Sequence, residues 1–115
     1  MPWKALSALR YALRGLGFML VARNAQLLAA GTVLVLGASF WVRLSRLEWC
    51  AVLAALALVW VAETLNTALE RLTDLVSPQF HPLAGKAKDI AAAAVFLAMA
   101  AAVSIGLVVF APRLF

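Results

Sequence analysis

From Ala25 to Val42 the chain carries no charge, and from Trp49 to Leu69 its only charged side chain is Glu63. Ile90 to Pro112 is again uncharged. A hydrocarbon core about 30 Å thick is crossed by about 20 helical residues, so each run is long enough to span it. Backbone polar groups cannot stay unpaired in lipid, and no period-2 alternation suggests strands, so the runs are predicted to be helices. The stretch from Met1 to Asn24 follows another rule. Leu6, Leu9, Leu13, Leu16 and Leu20 recur at alternating steps of three and four, with Lys4, Arg10 and Arg14 off that stripe. This is the pattern of a basic amphipathic helix lying in the membrane interface. The chain therefore reads as all-α and integral to a membrane: a surface helix over about 3–22 and spans over about 25–42, 49–72 and 87–111, in a single domain covering 1–115.

Composition agrees and excludes a soluble domain with a polar shell: 66% of the 115 residues are hydrophobic and 13% charged. Pro78 and Pro82, within Ser77 to Pro82, interrupt the helical pattern between the second and third spans. Cys50 has no partner cysteine and is expected to behave as a small buried apolar residue. The charged first stretch lacks the order of a cleaved leader, and the amino terminus is expected to be retained. Four basic residues precede the first span (Lys4, Arg10, Arg14, Arg23) and three flank the second connection (Arg71, Lys86, Lys88). Arg43 and Arg46 lie in the first connection and Arg113 in the tail. This asymmetry places the amino terminus and the second connection in the cytosol.

The second span carries what a bilayer segment should not. Glu63, Asn66, Thr67, Glu70 and Asp74 fall on one face at helical spacing, with Leu65, Leu69 and Leu72 opposite. A carboxylate at membrane depth costs roughly 2.5–3.5 kcal/mol on insertion scales and marks a functional site by default. One reading is structural: Glu63 and Glu70 pair with Arg71, Lys86 or Lys88 and hold helices together. The other is chemical. Two carboxylates two turns apart, about 10 Å along the axis, allow one to handle a proton while the other holds a metal. Lys86, Lys88 and Asp89 at the start of the third span would add cations suited to a polyphosphate. The chain contains neither a P-loop nor a kinase glycine-rich loop.

The segment ETLNTALERLTDLVSPQFHPLAGKAKDIAAAAV, Glu63 to Val95, resembles the small prokaryotic diacylglycerol kinase family, which includes the undecaprenol kinases. The pieces E-x-x-N-T-A-x-E-x-x-x-D, S-P-x-F-H-x-L-A and A-K-D with alanines stand in order over about a third of the chain. The resemblance implies a homotrimer of three-span subunits in the bacterial inner membrane that uses ATP and Mg2+ to phosphorylate a membrane lipid alcohol, with no nucleic-acid partner. Carried over by position, it makes Glu63 the general base at the lipid substrate and Glu70 a magnesium ligand. ATP binding would fall to Asn66, Glu70, Lys88 and Asp89, with Asp74 and His81 nearby.

The chain departs from the family at one place. A further metal-binding glutamate is usual in a segment like T-E-x-N-x-R-x-H, and the matching stretch VARNAQLL has Ala22 there, with Gln26 and Leu28 for the arginine and histidine. Loss of a carboxylate should weaken magnesium binding, although water or a phosphate oxygen can fill the position. Two functions follow: a lipid kinase acting on diacylglycerol or undecaprenol, or a catalytically weakened relative serving as a lipid-binding or partner-binding subunit. A transporter with an acidic proton path would share the intramembrane acids but leaves the Ser77–Pro82 loop and the lysines unexplained.

Overall fold

The computed structural model describes residues 2 to 114, which form four helices and no strand: α1 Pro2–Met19, α2 Arg23–Val42, α3 Arg46–Val76 and α4 Pro82–Leu114. The last three are each long and apolar enough to cross a membrane. Their outward faces carry large apolar side chains such as Val33, Leu58, Phe96 and Val108, left exposed for want of a protein partner, as a lipid-facing surface requires. Leu65, Leu69 and Leu72, expected opposite the polar face, are among them. Cys50 is exposed as well, contrary to its expected burial, because it too lies on an outward face of α3.

The helices start and stop for local reasons. Met19 O accepts from Ala22 N at 3.1 Å, and the Gln26 side-chain amide donates to Leu20 O at 3.2 Å, closing a tight turn between α1 and α2. This turn ends the surface helix at Met19, short of the stretch expected from the leucine stripe. Arg43, in the left-handed region at φ 56°, terminates α2. Ser45 and Glu48 then form a capping box: Glu48 N donates to Ser45 Oγ at 3.2 Å and Ser45 N to Glu48 Oε1 at 2.8 Å. Arg46, expected in the connection, is thereby in the first turn of α3, with Glu48. Pro82 opens α4 rather than merely ending α3, since a first-turn residue needs no amide donor. His81 Nδ1 accepts from Leu83 N at 3.1 Å, so this histidine caps the helix.

α3 and α4 form an antiparallel hairpin tied at both ends. Lys88 binds Asp74 at one end, and Arg113 binds Glu48 at the other. Arg113 also donates from Nη1 to Val42 O at 3.1 Å, so one guanidinium joins the end of α2, the start of α3 and the end of α4. At the rise of an α-helix, Glu48 and Asp74 are separated by about 39 Å along α3. That exceeds the hydrocarbon thickness of about 30 Å, so the two ion pairs are too far apart for both to lie within it. Leu44, Val52 and Val109 make a small buried cluster near the Arg113 end.

Candidate functional site

α2, α3 and α4 do not close on one another along their length. Between them runs a groove of about 600 Å³. α2 lines it with Asn24, Leu27, Leu28, Gly31, Thr32 and Val35, a stripe at steps of three and four that follows one helix face. α3 contributes Val52, Ala55, Leu56, Val59 and Glu63, and α4 contributes Val95, Met99, Gly106 and Phe110 among others. Almost all of this surface is hydrocarbon. Its lower end rests on Val52 and Phe110, beside the buried cluster, and its upper end carries Asn24 and Glu63.

Thr32 is the third polar side chain on the groove, and its hydroxyl is already engaged. It donates to Leu28 O at 2.8 Å, the usual back-bond of an intrahelical threonine, and accepts from the Trp60 indole N–H at 2.9 Å. Trp60 therefore ties α3 to α2 one turn below Glu63. One turn above Trp60, Thr64 donates to Trp60 O at 2.7 Å and approaches Met19 Sδ at 3.0 Å, where the buried Met19 seats the end of α1 on α3.

The polar face of α3 rises from the groove. Glu63 is half-buried, Asn66 is 9% exposed and Glu70 is exposed. Asn66 Nδ2 donates to Glu70 Oε1 at 3.1 Å. That bond fixes the amide orientation, because the reverse would set two oxygens together. Asn66 Oδ1 is thereby left buried with no hydrogen-bond partner. A buried orphan acceptor is costly. Among the described residues neither Glu63 nor Glu70 forms an ion pair, so the helix-gluing arrangement does not occur at these two acids. It occurs at Asp74, whose carboxylate holds Lys88.

Lys88 therefore stands by Asp74, two turns above Asn66, while Asp89, next to it, is exposed. Asp74, Gln79, His81 and Lys88 border a second, polar recess of about 230 Å³ under the α3–α4 connection. The residues singled out from the sequence thus fall into two sets: Glu63, Asn66 and Glu70 along one face of α3, and Lys88 with Asp89 on α4 above them.

Asn24 and Thr32 line the groove, and sequence reasoning assigned neither a part. The α2 stripe from Asn24 to Val35 was legible as a periodicity, but α2 is apolar all round, so the stripe does not stand out until α3 and α4 show which face they leave open.

Oxygen donors on successive turns of one helix, one of them a buried orphan, suit a hard divalent cation. Among the described residues no group of three or more His, Cys, Asp or Glu side chains gathers at one point. Such a cation would take few ligands from the protein and the rest from phosphate and water, which is the habit of magnesium.

Three helices long and apolar enough to cross a membrane, a shorter amphipathic helix before them and an acidic column above an apolar groove define an integral membrane protein. The chain belongs to the prokaryotic diacylglycerol kinase family, whose sequence profile matches residues 10–110. The resemblance seen in Glu63 to Val95 is borne out by that match. The chain is 41% identical to the undecaprenol kinase of Bacillus subtilis over 92 residues, 80% of this chain and 75% of that one. It is 33% identical to the diacylglycerol kinase of Pseudomonas aeruginosa over 107 residues, 85% and 86% of the two chains. With the diacylglycerol kinase of Escherichia coli it shares 33% over 63 residues, 55% of this chain and 52% of that one.

Proposed function

We propose that this protein is a lipid kinase that transfers the γ-phosphoryl group of ATP to the hydroxyl of a membrane lipid alcohol, diacylglycerol or undecaprenol, at the cytosolic interface. The observation that carries this reading is the position of Glu63. It is a carboxylate free of any ion pair among the described residues, held at the polar end of a groove otherwise made of hydrocarbon. A lipid tail laid in the groove brings its hydroxyl to that carboxylate. Glu63 accepts the hydroxyl proton as the alcohol oxygen attacks the γ-phosphorus, the bond from that phosphorus to the β-bridging oxygen breaks, and ADP leaves.

Phosphoryl transfer of this kind is mostly positioning and charge neutralisation. Glu70 and the orphan Asn66 Oδ1 are the residues that would hold Mg2+, which when bound supplies positive charge against the phosphate oxygens. The Asn66–Glu70 hydrogen bond keeps those two oxygens in place beforehand. Lys88 is the cation for the phosphates. Its side chain is 40% exposed and bound to an Asp74 side chain that is 63% exposed, so an arriving triphosphate can draw it away at little cost. Asp89 lies beside it on the nucleotide side. The basic excess at the α1 and α3–α4 ends supports a cytosolic amino terminus in the bacterial inner membrane. The extensive apolar surface is compatible with a homotrimer.

Ala22 favours a second reading, a weakened relative that binds lipid or a partner. It caps α2 without any side-chain hydrogen bond and offers no oxygen to a metal. Assay of the purified chain in lipid, with saturating ATP and magnesium, separates the two. Phosphorylated lipid is expected, and its absence with both alcohols would exclude the kinase. If Ala22→Glu then turns an inactive chain into an active one, the second reading holds.

A further inference from the structure

The link between α2 and α3 is only Arg43 to Ser45, so heights along the two helices can be compared from it. At the rise of an α-helix, Asn24 stands about 27 Å before Val42 at the end of α2, and Glu63 about 26 Å beyond Arg46 at the start of α3. The two residues thus stand at similar distances from that link along their helices. Both line the groove.

The neighbouring polar groups are otherwise committed. Thr32 is bound to Trp60 and Leu28, and the Gln26 amide closes the α1–α2 turn at Leu20 O and Val21 O. Neither the Asn24 amide nor the Glu63 carboxylate has a hydrogen-bond partner among the described residues. Val95 and Met99, which border the groove on α4, can donate nothing useful to an oxygen.

We propose that Asn24 binds the oxygen of the acceptor hydroxyl and aligns it on Glu63. An alcohol oxygen has one proton and two lone pairs. Its proton goes to the Glu63 carboxylate, one lone pair accepts from Asn24 Nδ2–H, and the second lone pair is left for the phosphorus. Glu63 alone would leave the hydroxyl free to turn about its single hydrogen bond. Two contacts, from α2 and from α3, fix the direction of attack. The ligand is a hydroxyl on a hydrocarbon tail, supplied by a polyprenol or by a diacylglycerol. This inference rests on the kinase reading for its consequence in turnover, but the recognition of a hydroxyl is independent of it.

The test uses the full chain in nanodiscs and two substitutions: Asn24→Leu, which keeps the branched shape and removes the amide, and Asn24→Gln, which keeps the amide. Binding is measured for undecaprenol and for dioleoylglycerol, each beside its counterpart lacking the hydroxyl, and lipid phosphorylation is measured in parallel. Asn24→Leu is expected to weaken binding of the alcohols by about 5- to 20-fold, on the scale of one net hydrogen bond, and to leave the hydroxyl-free counterparts unchanged. It should lower kcat/KM for lipid with KM for ATP within about twofold, while Asn24→Gln recovers part of the loss. Equal weakening of alcohol and counterpart, or no weakening, overturns the proposal, and so does unaltered lipid kinetics in an active Asn24→Leu protein. If the native chain transfers no phosphate yet the alcohol discrimination is present and lost in Asn24→Leu, the kinase reading falls and the hydroxyl site stands. The lipid that shows the discrimination identifies the source of the hydroxyl.

Discussion

The Lys88 ammonium is hydrogen-bonded to the Asp74 carboxylate, so the cation expected for the phosphates is held two helical turns above Asn66 by an acid of the same column. On the proposed reading, phosphate would compete with Asp74 for it. Removing the acid frees the lysine but also loosens the α3–α4 hairpin at that end. Lys88→Ala is expected to raise KM for ATP by about tenfold or more and to leave KM for lipid unchanged. Asp74→Asn should lower the melting temperature slightly, since an exposed pair contributes roughly 0–1 kcal/mol. Steady-state kinetics with each substrate varied, beside thermal unfolding, checks both.

Glu63 has no structural partner to lose. Glu63→Gln keeps the shape and removes the proposed base, and is expected to lower kcat by about 10²- to 10⁴-fold with unfolding temperature unchanged or raised. A loss of activity that tracks a loss of folded protein would instead make Glu63 a packing residue.

Asn66 and Glu70 predict a metal dependence. Glu70→Gln should raise the magnesium concentration needed for half-maximal activity, and should weaken Mn2+ binding followed by electron paramagnetic resonance in the presence of a non-hydrolysable nucleotide. Asn66→Leu removes the orphan oxygen and should act in the same direction, while relieving the cost of its burial. Unchanged metal affinity in both variants would place the metal elsewhere.

The groove predicts a steric effect at Gly106. A Cβ there meets nothing within 4 Å, so a larger residue is accommodated and projects into the space assigned to the lipid tail. Gly106→Leu should not destabilise the chain, because leucine exceeds glycine in helix propensity by about 0.8 kcal/mol. It should lower kcat/KM for lipid severalfold and leave ATP saturation unaltered. If lipid kinetics do not change, the tail does not use this passage.

At the opposite end, outside the apolar span, the Arg113 guanidinium, with the Ser45 N–H, holds the Glu48 carboxyl down at about 2. A carboxyl lowered on folding stabilises the protein above its unfolded value and loses that contribution as pH falls through the folded one. Native protein should therefore exceed Glu48→Gln in unfolding temperature above about pH 4.5, with the difference vanishing toward pH 2. A difference that persists to pH 2 would show that the carboxylate charge is not its origin.

Much of this was readable from the chain alone. Apolar runs as long as Ala25–Val42 and Ile90–Pro112 read as membrane helices, because lipid offers the backbone no other partner. Helical spacing was enough to put Glu63, Asn66 and Glu70 on one face, since the periodicity of a helix is a local property. The ends of α3 and α4 were less legible. The Ser45–Glu48 box and Pro82 at a first turn extend helices into stretches whose charge reads as loop.

What tertiary structure decided is which local features meet. The sequence determined three spans, a surface helix and an acidic face, all consequences of burial in lipid and of helical repeat. It could not determine that Lys88 binds Asp74, that Arg113 joins three helix ends, or that Asn24 and Glu63 line one groove. Those are relations between helices, set by the shortness of the Arg43–Ser45 link and by the faces on which α3 and α4 pack. Periodicity within one segment carries no information about its neighbour's rotation or height.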